Sequence, residues 1–231
     1  DMDLLEEQIF SELDYASLVV PVGGIGSYPT MVMQTADLVW LTETIAHEWV
    51  HNYLAFHPLG INYYTSNELR TLNETVASLA GKELGRLILL RYYPEKVPPD
   101  PDSISKDTTI LQRTINPGAD AFNFRKEMRI TRIEVDRLLS QGKVEDAENY
   151  MKARRQYFWE NNYAIRKLNQ AYFAFYGSYN DEPGGGASGS DPIGPAVVAF
   201  RANFSDLGDF LSAISKVSSF EQLLRLLNNR V

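Results

Sequence analysis

Apolar and polar residues alternate along the chain in patterns that predict a mainly helical protein. Residues 1–15 have the apolar spacing of a short amphipathic helix. Residues 36–56 are apolar on nearly every side, which is typical of a buried helix. A further helix is predicted from about Thr65 to Arg91, because Thr65-Ser66-Asn67-Glu68 has the pattern of a capping box with Glu68 as its acidic member.

A small β element is predicted between the first two helices. Residues 18–26 and 29–33 are rich in β-branched and apolar side chains and are interrupted by Gly and Pro. Such segments favour short strands joined by a tight turn. The predicted fold class is therefore mainly α (α+β), with the β element near the N-terminus.

The second half of the chain predicts a helical hairpin. Two long helices are expected from residue 121 onward, separated near Gln141-Gly142-Lys143, and the second reaches about Tyr176. Such a pair is expected to pack on the core. The flanking segments 93–120 and 181–195 are rich in Pro, Asp, Gly or Ser and are predicted to be loops. Short amphipathic helices complete the chain.

Composition and charge exclude several classes of protein. The formal net charge of −8 argues against a surface for nucleic acid or anionic membranes, since both need clustered Lys and Arg. No apolar run approaches the roughly 20 residues of a membrane span. The chain has no cysteine, so disulfides and thiolate metal ligands are excluded. Because it begins with Asp1 rather than Met, we expect it to be a processed or trimmed piece, and a removed signal peptide or anchor is one way in which it could arise.

The chemistry of the chain is concentrated in one short motif. The sequence His47-Glu48-Trp49-Val50-His51 is an H-E-x-x-H on a predicted helix. Residues at i and i+4 share a helix face, so both imidazoles can converge on one ion, and neutral imidazole is a good ligand for Zn²⁺. Glu48 lies to the side of that face, where it can reach a water at the metal without ligating the ion.

A third ligand is needed, and the sequence offers Glu74 and His57. The two histidines lie about seven residues, or roughly 10 Å, from the end of their helix. Glu74 lies about nine residues, or roughly 13 Å, from the start of the next helix, so antiparallel packing brings it level with them. His57 follows His51 at the spacing of another zinc pattern, but it is rotated about 120° from the ligand face if the helix continues. We therefore favour Glu74 and keep His57 as the alternative.

These residues resemble the gluzincin metallopeptidases. Their pattern is H-E-x-x-H followed some 20-odd residues later by N-E-x-x-[AS], and Asn73-Glu74-Thr75-Val76-Ala77 matches its second half. The resemblance covers about residues 36–86. It implies a zincin-like helical core, hydrolysis of peptide bonds with Glu48 as general base, and a substrate strand, for which residues 23–33 are the candidate. It also implies one Zn²⁺ per chain, with the ligands His47, His51 and Glu74.

A second resemblance extends into the helical half. Leu168-Asn169-Gln170-Ala171-Tyr172 is similar to a segment of bacterial predicted aminopeptidases, which are associated with the cell envelope; Gln170 stands where that group has Asn. It makes the envelope an expected compartment. An aminopeptidase needs acidic groups to hold a free α-amine, and the nearby candidates are Asp37, Glu43 and Glu68.

The oxyanion of the reaction also needs a donor, which gluzincins commonly supply from Tyr or His. We take Tyr172 as the predicted catalytic residue, with further candidates at Tyr163, Tyr176 and Tyr179.

We expect one domain over residues 1–231, since no internal repeat or domain boundary is evident. Its parts are a zinc-binding core (1–92), a loop (93–120) and a helical part (121–231). The partner expected of a peptidase is a peptide or protein substrate. Two alternatives remain: a non-catalytic metal-binding or protein-interaction module, in which the hairpin and residues 181–195 are partner surfaces, and a zinc hydrolase acting on esters or other amides. An intact Glu48 favours catalysis, because a structural metal site needs no base.

Overall fold

In a computed structural model, which describes residues 1–27, 29–98, 122–178 and 186–228, the chain is mainly α-helical, as predicted. A two-stranded antiparallel sheet is its small β element. In chain order the elements are α1 (Met2–Leu13), β1 (Gly24–Ile25), β2 (Met31–Val32), α2 (Leu38–Leu54), α3 (Pro58–Ile61), α4 (Asn67–Tyr92), α5 (Phe124–Ser140), α6 (Val144–Glu160), α7 (Gln170–Tyr176), α8 (Ile193–Arg201), α9 (Leu207–Ile214) and α10 (Phe220–Asn228). Within these ranges, no helix combines the length and apolar character needed to cross a membrane.

The predicted capping box at the start of α4 is wrong by one residue. Ser66, rather than Thr65, caps the helix, and its Oγ accepts a hydrogen bond of 3.2 Å from the amide of Leu69. Glu68 therefore lies at the second helical position, where it is exposed and adds negative charge to the first turn.

The second long helix of the hairpin ends at Glu160, earlier than predicted. Asn162 adopts the left-handed conformation with φ of 67°, and the amide of Tyr163 bonds back to the carbonyl of Phe158 at 2.9 Å. This pattern of bonds terminates a helix. The chain then turns, and Asn169 caps the separate helix α7 through a 3.0 Å hydrogen bond from the amide of Tyr172.

The two predicted loops are described only in part. Residues 99–120 of the first loop and 181–185 of the second lie outside the described residues, and the prediction for them stays open. Residues 93–98 contain a 3₁₀ turn at Pro94–Lys96. The second loop ends before residue 195, because α8 begins at Ile193, whose amide donates a 2.8 Å hydrogen bond to Asp191.

Two apolar clusters hold the helices together. The first contains the inner faces of α2, α3 and α4 together with α8, α9 and α10, and includes Val50, Leu72, Val76, Val197 and Phe210. The second lies between α5, α6 and α7 and includes Met128, Met151 and Phe158. The predicted hairpin of α5 and α6 thus exists, but its apolar side forms a cluster of its own. The helices after residue 192, rather than the hairpin, complete the core around α2 and α4.

Helices α2 and α4 pack with their backbones in near contact. A Cβ atom at Gly81 would lie 3.0 Å from both the carbonyl oxygen of Glu43 and the backbone nitrogen of His47. At Gly85 it would lie 2.9 Å from the backbone nitrogen of Glu43. Since Gly81 and Gly85 lie a turn apart on one face of α4, this small-residue seam lets the helices approach more closely than larger side chains allow.

A buried ion cluster attaches α1 to the segment before α7. The Glu6 side chain is 0% exposed and accepts hydrogen bonds from the Val19 amide at 2.5 Å, from Arg166 at 2.5 and 3.1 Å, and from Lys167 at 2.9 Å. The Arg166 hydrogen bond is the main cause that lowers the pKa of Glu6 to about 2. The cluster therefore stabilises the fold when Glu6 is ionised.

We expect Glu6→Gln to lower the free energy of unfolding by about 1–3 kcal/mol at pH 7, because hydrogen bonds to a buried charge are lost. The folded pKa of about 2 lies below the ordinary value of 4.5. The difference in free energy of unfolding between wild type and variant should therefore be largest above pH 4.5 and vanish as the pH falls towards 2. Urea unfolding followed by circular dichroism at several pH values measures it. The exposed neighbour is the control: Glu7→Gln should change stability by less than about 0.5 kcal/mol. A difference that is the same at pH 7 and pH 3 would contradict this account.

Candidate metal centre

The two histidines of the H-E-x-x-H motif lie one turn apart on α2 and face each other. Their Nε2 atoms are 3.0 Å apart. The Oε2 atom of Glu74 lies 3.5 Å from Nε2 of His47 and 3.3 Å from Nε2 of His51. One ligand atom from each of the three residues thus lies within 4.8 Å of the other two, so the group could hold a metal ion.

The Glu74 carboxylate provides the test of whether a metal fits. The residue is only 5% exposed, and its buried Oε2 has no hydrogen-bond partner among the described residues. A buried carboxylate oxygen without a donor is costly, and a cation between it and the two imidazoles would remove that cost. Two imidazoles and one carboxylate form a donor set that divalent transition metals accept, with room left for water or substrate.

The charges at the centre already favour deprotonated Glu74. Burial raises its pKa, but the adjacent imidazoles of His47 and His51 outweigh burial and hold the pKa of Glu74 well below its usual range. Burial opposes the charged form of His51, but Glu74 more than offsets this, and the pKa of His51 is raised.

Asn73 orients the imidazole of His51. Its Oδ1 lies 2.8 Å from Nδ1 of His51, and its Nδ2 donates a 3.3 Å hydrogen bond to the carbonyl of Leu59. Because Nδ2 of Asn73 is hydrogen-bonded to the carbonyl of Leu59, Oδ1 of Asn73 is the atom that faces His51. Nδ1 of His51 therefore donates a hydrogen bond to Oδ1. This leaves the lone pair of Nε2 directed at Glu74 and the candidate metal position. The Asn of the N-E-x-x-A motif therefore sets the tautomer of one ligand. On the other ligand, Oγ of Ser78 lies 3.4 Å from Nδ1 of His47.

Tyr63 is part of the centre, although the sequence pattern did not indicate it. It lies in the turn between α3 and α4, and its hydroxyl donates a hydrogen bond to Oε1 of Glu74. Burial and the contact with Glu74 raise the pKa of Tyr63 far above its ordinary value, so the hydroxyl remains protonated and can donate. Oε1 thus accepts a hydrogen bond from Tyr63, and Oε2 is the oxygen that could bind a metal ion. The one sequence signal was its position in the connection between the two ligand helices.

We expect Tyr63→Phe to weaken zinc binding about 10- to 100-fold, because loss of a hydrogen bond that orients a ligand commonly has an effect of this size. Tyr64 supplies a matched control: it is the next residue, it contacts the ring of Tyr63, and its side chain is 92% exposed. Tyr64→Phe should leave the affinity within about twofold of wild type. Competition with a chromophoric chelator measures both dissociation constants, and equal affinities for the two variants would contradict the role of Tyr63.

The metal-ligand group consists of His47, His51 and Glu74. Glu48 lies beside this group but is not part of it. Two cavities, of about 350 and 400 Å³, adjoin the group. Both are lined by Gly24, His47 and Glu48, so β1 and the motif helix contribute to both. The first extends along Trp40 and Phe175, and the second includes Tyr63 and Glu74. Glu48 can therefore contact a molecule that enters either cavity.

The other predicted site residues in the first half of the chain are not part of the metal-ligand group. His57 precedes α3, its Nδ1 lies 2.8 Å from the carbonyl of Tyr53, and it is not part of the ligand group. The group thus contains Glu74 and not the alternative ligand. Of the acidic candidates for binding an α-amine, Glu43 lines the first cavity. Asp37 caps α2 by accepting a 3.0 Å hydrogen bond from Trp40, and Glu68 is exposed on α4.

None of the described tyrosines of the helical half lines the two cavities that adjoin the metal-ligand group. Tyr172 and Tyr176 line a separate cavity with Leu18 and Ala164, and burial is the main cause that raises the pKa of Tyr172 to about 12. Tyr163 packs against Phe122 and Phe124, and Tyr179 lies outside the described residues. The catalytic role predicted for Tyr172 remains a prediction. Tyr63, in the turn after α3, contacts the candidate ligand Glu74.

Comparison with protein families, with curated proteins and with solved structures finds no match. The function of the protein is therefore inferred from the geometry of the centre and from the motifs themselves.

Proposed function

We propose that the protein is a zinc-dependent peptidase of the gluzincin type. The observation that carries the proposal is the buried Oε2 of Glu74, which has no hydrogen-bond partner in the described part of the chain and faces Nε2 of both histidines. Two motifs, H-E-x-x-H and N-E-x-x-A, supply these residues at the spacing found in gluzincins. The ligands are His47, His51 and Glu74, and zinc is the metal that this donor set and the motif resemblance favour.

A bound zinc ion would polarise the scissile carbonyl and make a water molecule more acidic. The protein groups perform the remaining tasks. Glu48 takes a proton from the attacking water and passes it to the leaving amine. Asn73 and Tyr63 hold His51 and Glu74 in the orientation that ligation requires, through the contacts described above. Glu48 is suited to its role because it lines both cavities and is not a ligand.

The β element is proposed to bind the substrate backbone. β1 pairs with β2 through the register Gly24↔Val32 and Ile25↔Met31, and β1 lies against Glu48. An extended peptide could add to this small sheet as a further strand, since main-chain hydrogen bonds give affinity without requiring a particular sequence. Such pairing would bring one peptide bond to the position between Glu48 and the metal-ligand group.

The proposal is tested with purified protein reconstituted with zinc and a mixture of unstructured peptides analysed by mass spectrometry. We expect cleavage that is lost when 1,10-phenanthroline removes the metal and regained when zinc is added. Ester and small amide substrates are assayed in parallel, and hydrolysis of these alone would indicate the other type of zinc hydrolase. Stoichiometric zinc without hydrolysis of any substrate would favour a non-catalytic metal-binding module.

A further inference from the structure

Gly24 lies so close to Glu48 that a side chain at this position is incompatible with the observed carboxylate. A Cβ atom on Gly24 would lie 2.7 Å from Oε1, 2.8 Å from Cγ and 3.0 Å from Cδ of Glu48. Carbon atoms that are not bonded approach favourably only to about 3.5–4.0 Å. The position of Glu48 thus depends on the absence of a side chain at Gly24.

The backbone conformation does not explain this glycine. The glycines with positive φ in the described part of the chain are Gly142 and Gly189, so the backbone at Gly24 is one that alanine can adopt. Glycine weakens a strand because it lacks a side chain to pack and has more freedom to lose, and it often marks a close approach by another group. Here the approaching group is the side chain of Glu48.

A second glycine contacts the other side of the same carboxylate. A Cβ atom on Gly26 would lie 3.3 Å from Oε2 of Glu48 and 3.4 Å from Oδ1 of Asn52. The two oxygens of Glu48 therefore each face one glycine, Oε1 at β1 and Oε2 just after it. Together, Gly24 and Gly26 leave the space that the carboxylate occupies.

We propose that Gly24 is a positioning residue: because it has no side chain, the Glu48 carboxylate can take the position that general-base catalysis requires. The inference rests on the proposed function, in which Glu48 takes the proton of the attacking water. All three atoms that would lie close to a Cβ at position 24 belong to the flexible side chain of Glu48 and none to a backbone, so a methyl group there displaces that side chain rather than the fold. Gly24 therefore controls turnover separately from folding and metal binding.

The kinetic test is Gly24→Ala in the zinc-loaded protein with a cleaved peptide as substrate. We expect kcat to fall about 10- to 100-fold, because a misplaced base loses a large part of its contribution of about 10²–10⁴. The KM and the dissociation constant for zinc should stay within about threefold. Gly23→Ala is the comparison, since its Cβ would approach Trp40 at 3.1 Å and not Glu48. Its loss in kcat should be at least fivefold smaller, and equal losses in the two variants would overturn the proposal.

Removing the Glu48 side chain separates positioning from a general effect on the strand. Alanine lacks Cγ and the carboxylate, so Glu48→Ala vacates the space in which Cγ of Glu48 and a Cβ at position 24 overlap. Alone, Glu48→Ala should lower kcat; in that background, Gly24→Ala should cause less than about a threefold further loss, because no carboxylate remains to be displaced. Such non-additivity is the signature of direct contact, and independent losses that simply multiply would count against the proposal.

A crystal structure of zinc-loaded Gly24→Ala gives a readout that needs no substrate. We expect Glu48 in a different rotamer, with β1 and the three ligand side chains unchanged. If Glu48 keeps its position and β1 moves away, Gly24 does not seat the base. If the wild-type protein cleaves no peptide, the proposed function fails, whereas the crystal structure still decides whether Gly24 determines the position of Glu48.

Discussion

Replacing Glu48 with glutamine is expected to lower kcat about 10²- to 10⁴-fold while one zinc ion per chain remains bound. Glutamine has nearly the same shape as glutamate but cannot accept the proton of the attacking water. Metal binding should persist, because Glu48 is not among the three residues whose ligand atoms converge. The combination of intact metal and lost turnover would identify Glu48 as the base.

The measurement is initial rates on a cleaved peptide, with zinc content determined on the same preparation. Glu95→Gln provides the control for an acid-to-amide change, since Glu95 is exposed in the 3₁₀ turn after α4. It should keep wild-type kcat. Full activity in Glu48→Gln would mean that another group takes the proton, or that the observed hydrolysis comes from a contaminant.

Replacing Glu74 with alanine is expected to abolish the thermal stabilisation that zinc gives to the wild-type protein. A ligand present at 1,000 times its dissociation constant stabilises the folded state by about 4 kcal/mol. In a protein of this size, that corresponds to a rise in Tm of about 8–16 °C. Glu74→Ala leaves two ligands and removes the negative charge, so we expect zinc affinity to fall by about 10³-fold or more and the rise in Tm to disappear.

His57→Ala is the matched control for this experiment, because His57 is the alternative third ligand suggested by the sequence. Its imidazole bonds to the carbonyl of Tyr53, so the variant is expected to have a lower Tm without metal but to keep the full rise on zinc addition. Loss of the rise in His57→Ala with retention in Glu74→Ala would require a rearranged centre. Differential scanning calorimetry with and without excess zinc distinguishes these results.

The metal-ligand group was predictable because it depends on helical geometry and on one short connection. His47 and His51 share a helix face by their spacing, and Glu74 comes level with them when two successive helices pack antiparallel. The small residues Gly81 and Gly85 permit that packing, although their role becomes evident only when the helices are in place. Regular periodicity thus predicted the three candidate ligands.

The contacts around the ligands could not be predicted in the same way. Tyr63 reaches Glu74 from an irregular turn, and Gly24 touches Glu48 from a two-residue strand, so neither position is determined by a repeat in the sequence. The end of α6 shows the same limit: the apolar pattern continued past Glu160, but the helix ends there and Asn162 is left-handed. Local backbone conformations of this kind decide which side chains surround a site.

The composition of the first apolar cluster has a consequence for how the protein folds as it is synthesised. Helices α2 and α4 are close in sequence and carry all three candidate ligands, whereas α8–α10, which cover their apolar faces, come after the entire second cluster. Contacts between distant parts of a chain form slowly, because a long loop must close first. On the ribosome, the apolar faces of α2 and α4 would therefore stay exposed until α8–α10 are synthesised, and chaperones and proteases could bind them during that time. Capture of a metal ion by the nascent chain would tie the two helices together during that interval.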